Sequence, residues 1–196
     1  MSRSLHEDHV LIDDSKMILV KADLSETFSN NIFNEVEKHI TPDSLIYFFN
    51  NAATILPINN VGSLESKEIE ASLKVNVEFP VNFINRLLGN FLTNKITLIN
   101  ISSGAGSNPV AFWSLYGGAK AYMKLFFRVI KEENAENSNL QLYEFDPGVI
   151  DTEMQQKIRE ATAPTRDYFT SLKAENRLKS PEDSALQMFN EIQYYT

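Results

Sequence analysis

Three side chains of this chain are spaced to do chemistry together: Ser103, Tyr116 and Lys120. Tyr116 and Lys120 stand four residues apart in a stretch that reads as helix, so they share one face, a turn apart. Ser103 follows the apolar run 98–101, and a strand there delivers its hydroxyl to the mouth of a sheet. A phenol, with a reference pKa near 10, is a poor acid–base group at neutrality. An ammonium one turn away favours the phenolate, and so makes the phenolic proton easier to give. Hydroxyl, phenol and ammonium in one place suit proton donation to a carbonyl oxygen, the serine orienting the carbonyl and the lysine also able to hold a ribose hydroxyl. Taken singly, each residue has a plainer reading, as a turn serine, an amphipathic-helix tyrosine and a solvated lysine. Asn76 joins them because it lies on an otherwise apolar helix face, where an amide is costly unless hydrogen-bonded. It serves either to satisfy a helix kink beside Pro80 or to hold a water in a proton path.

The elements that must position these groups alternate along the chain. Apolar runs at 17–20, 45–49, 95–101 and 140–145 read as strands, continuous rather than alternating, as in a parallel sheet covered on both faces. Between them, Phe28, Ile32 and Val36 mark a helix from Ser25 to about residue 38. Ile69, Leu73, Val77, Phe83 and Leu87 mark another, kinked or broken by Pro80. A long helix opening near Phe112 runs to about residue 133, with Tyr122, Met123, Phe126, Phe127 and Ile130 as its apolar surface. Shorter helical pieces follow at 151–159 and 168–177. Ser180, Pro181 and the acids after them open a last helix, with a cap, a proline at the first position and negative charge in the first turn. This order predicts an α/β fold, a three-layer Rossmann-like parallel sheet of four strands with right-handed crossovers, in a single domain over 1–196.

The 196 residues suffice for one domain with a sizeable core. A formal net charge of -8 argues against nucleic acid or an anionic membrane as partner. There is no cysteine, which excludes disulfides and thiolate nucleophiles and favours the cytoplasm. No apolar run approaches the roughly 20 residues needed to cross a bilayer. No cluster with metal-ligand spacing stands out.

Five further pieces fall in order: Asn50-Asn51-Ala52-Ala53 after the second strand, Asn76 in the next helix, Ile99-Asn100-Ile101-Ser102-Ser103-Gly104, Tyr116-Gly117-Gly118-Ala119-Lys120, and Asp146-Pro147-Gly148-Val149-Ile150-Asp151-Thr152. Together they resemble the short-chain dehydrogenase/reductase family, along essentially the whole chain. Trp113 and the stretch 151–156 are similar to its sepiapterin reductase and benzil reductase subgroup. The resemblance implies a catalytic tetrad: Asn76 positioning a proton-relay water, Ser103 holding the carbonyl, Tyr116 donating the proton, and Lys120 lowering its pKa while binding the nicotinamide ribose. It implies NADP as cofactor, with Pro147 and Gly148 along the nicotinamide and Val149 and Thr152 near its carboxamide and phosphate side. Asn50 and Ala52 would lie by the adenosine ribose, Asp23 and Leu24 at the adenine, and Arg3 at the 2′-phosphate. Residues 152–178 would form a substrate lid. The implied partner is a small-molecule carbonyl compound (a diketone, hydroxyketone or pterin side chain), with Trp113 and Tyr168 as aromatic walls, in a homodimer paired through 65–89 and 112–133.

The family's phosphate-binding turn, a Gly-rich loop between a first strand and its helix, has no counterpart here. The 7 glycines lie at 62, 89, 104, 106, 117, 118 and 148, and none follows a strand in the first third. The expectation is a truncated Rossmann-like sheet with the first two strands and the last strand absent. Two function classes follow: an NADP-dependent carbonyl reductase, or an impaired paralogue acting as a structural partner of a full-length reductase.

Overall fold

The computed structural model describes Ile18 and residues 20–26 and 30–193. Within them three strands form one parallel sheet in the order β1 (Leu45–Asn50), β2 (Lys95–Ile101), β3 (Leu140–Phe145). β-branched and aromatic residues make up most of β1 and β2, and β2, in the middle, is buried from Ile96 to Asn100. The register sets Asn50 opposite Asn100, and Asn100 opposite Glu144.

Period-two alternation divides the sheet into two apolar faces. Ile46, Phe48, Ile96, Leu98, Leu140 and Leu142 face a core shared with α1 (Asn30–Glu37), α3 (Phe79–Phe91) and α4 (Ser114–Glu133). Phe33 of α1 meets Phe83 of α3 edge-on at 5.3 Å, and Phe83 stacks on Phe48 at 4.9 Å. Phe49, Ile99, Ile101, Tyr143 and Phe145 face α7 (Pro181–Glu191), which supplies Met188 and Phe189 together with the residue that caps it, Ile192. The architecture is thus helix, sheet, helix, a Rossmann-like parallel sheet with three strands among the described residues.

Three expectations need correction. The strand expected at 17–20 is not seen where it can be followed: Ile18 and Val20 are not in a strand, Lys21 makes a single bridge, and Met17 and Leu19 lie outside the described residues. Among the described residues the sheet has three strands, against the four expected. Ser25, the expected start of a helix, lies in a turn: the Asp23 carboxylate takes its backbone N–H at 3.0 Å and its hydroxyl at 2.7 Å, and the helix is described from Asn30 onward. The helix carrying Tyr116 opens at Ser114 rather than near Phe112, since Phe112 sits in the left-handed region at φ 71° and cannot be its first residue.

Pro80 behaves as expected of a helix breaker that is accommodated. It has no N–H for the carbonyl of Asn76, four residues earlier. The chain answers with a wide π turn, Lys74–Glu78, between α2 (Ser66–Leu73) and α3, and Phe79 donates to the carbonyl of Lys74. The helical path continues with Pro80 in the first turn of α3. Ser180 caps α7, accepting from the N–H of Asp183 at 3.0 Å.

Candidate active site

Two glycines set the distance between the strand end and the helix. Beyond β2 the backbone makes a short 3-10 turn, Gly104–Gly106, with Ser103 extended before it and accepting from the N–H of Ala105 at 3.2 Å. A Cβ on Gly117 would lie 2.9 Å from the carbonyl oxygen of Ala105, and one on Gly106 would lie 3.0 Å from the backbone of Lys120. The turn therefore packs backbone-to-backbone on α4, at the level of the Tyr116–Lys120 turn. That approach sets the Ser103 hydroxyl on the side of the Tyr116 phenol, where it favours the ionised form.

Tyr116 and Lys120 are both buried, at 7% and 8% exposure. Burial pushes the phenol above its ordinary range; the hydrogen bond from Ser103 pulls it back, and the Asp146 carboxylate adds to the rise. Burial pushes the Lys120 ammonium down to about 8, against the pull of Asp146, which favours its charged form. The ammonium donates to the carbonyl of Ile101 at 2.6 Å and stands 5.6 Å from the centre of the Tyr116 ring. It is thus fastened to the end of β2 beside the ring rather than bonded to the phenolic oxygen.

Asn76 sits in the π turn with its amide in use. Its Oδ1 accepts from the N–H of Thr54 at 2.8 Å, and its Nδ2 donates to the carbonyl of Thr54 at 2.9 Å and to Ser72 Oγ at 3.2 Å. The side chain ties the helix to the loop after β1 and is satisfied as a buried amide must be. The carbonyl that Pro80 leaves without its helical donor belongs to this same residue.

Above the tyrosine lies an apolar cluster. Trp113 stacks on Phe169 at 5.3 Å and meets Tyr116 edge-on at 6.0 Å. Ile55, Ile158 and Leu172 complete it, so α5 (Glu153–Glu160) and α6 (Arg166–Ala174) rest on the tyrosine as a cover. The sequence reading chose Tyr168 as the second aromatic wall. Tyr168 is 57% exposed, and its neighbour Phe169 takes that place, because helix periodicity turns adjacent residues to different faces. The Trp113 indole N–H is buried and has no acceptor among the described residues. The cover is tied down by Asp151, which pairs with Lys173 and, at 3.9 Å, with Arg159.

The residues assigned to a cofactor divide into three groups. Asp23, Leu24 and Ala52 line one cleft of about 500 Å³ with Ala53, Ser72 and Val75. Pro147, Gly148, Val149 and Thr152 follow β3: Gly148 takes a left-handed φ of 73°, Val149 pairs through its carbonyl with Lys179, and Thr152 caps α5. Asn50 is elsewhere, its Nδ2 donating to Asn100 Oδ1 at 3.0 Å across the strands rather than lining the cleft. Arg3 lies outside the described residues.

Sequence reading gave Asp146 no role beyond its place in the turn, and missed Phe169 and Thr54. Glu144, two positions before Asp146, is paired with Lys124 of α4 at 3.0 Å. Among the described residues there is no group of metal-ligating side chains and no helix long and apolar enough to cross a membrane.

Comparison with known proteins agrees with this geometry. The family profile of the short chain dehydrogenases matches residues 5–163. A benzil reductase ((S)-benzoin forming) of Bacillus cereus is 33% identical over 158 residues, covering 76% of this chain and 64% of that protein. A sepiapterin reductase of Xenopus tropicalis is 28% identical over 155 residues, covering 71% and 58%. The chain thus spans about three-fifths of the length of these relatives. Among solved structures, the KRED1-Pglu enzyme superposes with a TM-score of 0.73 at 26% identity, covering 84% of this chain and 69% of that one.

Proposed function

The chain belongs to the short-chain dehydrogenase family, and from that premise we propose that it carries the carbonyl-reducing half of an NADP-dependent reductase. The observation that carries this reading is the Ser103–Tyr116–Lys120 cluster: a buried phenol with a serine hydroxyl acting on it and a fixed ammonium beside its ring, under an aromatic cover.

In this reading the substrate carbonyl oxygen sits at the Ser103 hydroxyl and the Tyr116 phenol. Ser103 donates a hydrogen bond that orients the carbonyl, and Tyr116 transfers its proton to the oxygen as the carbon is reduced. A reduced nicotinamide, when bound, supplies the hydride. Lys120 stabilises the phenolate left behind, an effect strengthened by the low dielectric of a buried site. The proton is restored along Lys120 from a water at the carbonyl of Asn76, while the Asn76 amide holds the π turn against Thr54. Ile158, Phe169 and Leu172 exclude bulk water from the phenol.

The residues present fit such a cofactor at two places. The cleft of Asp23, Leu24, Ala52 and Val75 offers an apolar slot with a carboxylate at its rim, suited to an adenine whose amino group Asp23 accepts. Tyr116, Lys120 and the turn of Pro147 and Gly148 suit the nicotinamide end, with Val149 and Thr152 beside it. The chain itself supplies no Gly-rich turn for the pyrophosphate, and Arg3 is the one basic residue assigned to the 2′-phosphate.

The substrate class in this reading is a compound with two adjacent oxygens, an α-diketone or α-hydroxyketone. Trp113 and Phe169 form a flat aromatic wall, and the indole N–H beside Tyr116 is a second donor in want of an acceptor. The named activity of the Bacillus cereus relative, forming (S)-benzoin from benzil, is of this class. The exposed stripe of Tyr122, Leu125 and Val129 along α4 supports pairing of two copies.

The test is consumption of NADPH with benzil as substrate. Steady turnover that produces benzoin supports the reading. No turnover and no saturable change in NADPH fluorescence on adding the protein favour the alternative, an impaired paralogue that acts as a partner.

A further inference from the structure

One turn beyond Lys120, α4 carries a second lysine that takes no part in the chemistry proposed above. Lys124 is partly buried, and its ammonium reaches two places at once. It pairs with Glu144 Oε1 of β3 at 3.0 Å and donates to the Ser107 hydroxyl at 3.1 Å. The same Oε1 accepts from the Ser102 hydroxyl at 3.3 Å. One ammonium and one carboxylate oxygen thus join residues on both sides of Ser103: Ser102 immediately before it, and Ser107 just past its turn.

We propose that Lys124, with Glu144 as its partner, is a positioning residue for Ser103, bracing the serine turn against α4 so that the hydroxyl stays beside the Tyr116 phenol. The catalytic meaning of the brace rests on the reductase reading; the brace itself does not.

The turn needs a brace because its own residues hold it only to itself. From Gly104 to Asn108 it brings almost no apolar side chain to bury, and Ser107 and Asn108 are exposed. Its hydrogen bonds are local: the N–H of Gly106 donates to the Ser103 carbonyl at 2.9 Å, that of Ser107 to the Gly104 carbonyl at 3.1 Å, and that of Ala105 to Ser103 Oγ at 3.2 Å. These bonds shape the turn without fixing its place on the helix. On the strand side Ser102 is held, its N–H donating to the carbonyl of Phe145 at 2.7 Å. On the helix side Gly106 and Gly117 let the backbones touch, a contact whose attraction per atom pair is small. Lys124 supplies a directed bond there. Lysines one turn apart therefore fasten α4 at successive points, Lys120 to the Ile101 carbonyl at 2.6 Å and Lys124 to Ser107, with Ser103 between the two anchors. A partly exposed ion pair adds little to global stability, so the effect is to be read at the turn itself.

The test uses the full chain and two readouts. Amide hydrogen exchange, followed residue by residue by NMR, watches Ala105 and Gly106, whose N–H groups bond to the hydroxyl and carbonyl of Ser103, with the buried Leu98 of β2 as control. In Lys124→Met both turn amides should exchange about tenfold faster, an opening of the turn alone, while Leu98 and the urea midpoint hardly move. Ser107→Ala removes only an exposed hydroxyl; it should move exchange in the same direction by less, and it takes over the test if Lys124→Met does not fold. Swapping the charges, Lys124→Glu with Glu144→Lys, should restore slow exchange, since the hydroxyls of Ser102 and Ser107 can each donate or accept. Unchanged exchange at the turn, or a uniform rise that includes Leu98, overturns the proposal. The second readout is benzil turnover, where Lys124→Met should lower kcat about tenfold at constant KM, because the carbonyl is less well oriented. An unchanged kcat in a variant whose turn exchanges faster also overturns it. A native chain that does not turn over benzil contradicts the reductase reading instead, and the exchange result then decides the brace alone.

Discussion

The Nζ of Lys120 donates to the carbonyl oxygen of Ile101 at 2.6 Å, fastening the middle of α4 to the last residue of β2. This bond joins the two elements whose ends carry Tyr116 and Ser103, so the lysine is structural and electrostatic at once. It also makes the ammonium a buried charge held by a backbone acceptor.

That burial has a consequence for stability. The Lys120 pKa falls from an ordinary value near 10.5 to about 8 on folding. Above the folded value the native state binds fewer protons than the unfolded chain, so stability rises with pH between about 8 and 10.5. Below that window the charged lysine costs of the order of 3 kcal/mol. Lys120→Met should therefore raise the melting temperature at neutral pH while abolishing reduction, and the difference from the native chain should shrink as pH approaches 10. Thermal unfolding of both proteins across that range checks it.

The adjacent glycines of α4 should respond with opposite signs. Gly117→Ala places a methyl group 2.9 Å from the carbonyl oxygen of Ala105 and must push the Ser103 turn off the helix. The expected cost is about 1–3 kcal/mol, with loss of most turnover. Gly118→Ala meets nothing within 4 Å and is an exposed helix position, so it should stabilise by about 1 kcal/mol with activity retained. Urea unfolding and benzil turnover read both.

Asn76 is a buried bracket between the π turn and the loop after β1. Asn76→Ala leaves the N–H and carbonyl of Thr54 without the partners they have at 2.8 and 2.9 Å. The expected loss is about 2–4 kcal/mol in urea unfolding, since buried backbone groups become unsatisfied. Ser72→Ala, which removes only the weaker contact at 3.2 Å, should cost less than half of that.

The stripe on α4 predicts an assembly. Leu125 is 63% exposed between Tyr122 and Val129 on one helix face. If two copies pair there, Leu125→Glu should convert a dimer to a monomer by light scattering, with little change in the melting of the isolated fold. A native chain already monomeric at high concentration would contradict the pairing.

The sequence was most legible where local rules and spacing act alone. The cap at Ser180, the break at Pro80 and the common face of Tyr116 and Lys120 needed only short-range chemistry. The layers followed from apolar runs bounded by turns. Tertiary relations were harder to read. Nothing in the sequence says that the Asn76 amide would be bonded to Thr54, twenty-two residues away, nor that Asn50 would turn to Asn100 instead of a cofactor. Phe169 displaced Tyr168 as a wall because one step of helix rotation decides which neighbour faces in.

The account stands on the phenol of Tyr116 as proton donor, and the most direct measurement is benzil reduction by Tyr116→Phe. The variant keeps the ring that packs on Trp113 and removes only the oxygen. Turnover should fall by two to four orders of magnitude, roughly the share of a general acid, with the fold and NADPH binding unchanged. Reduction at the native rate by that variant would contradict the account.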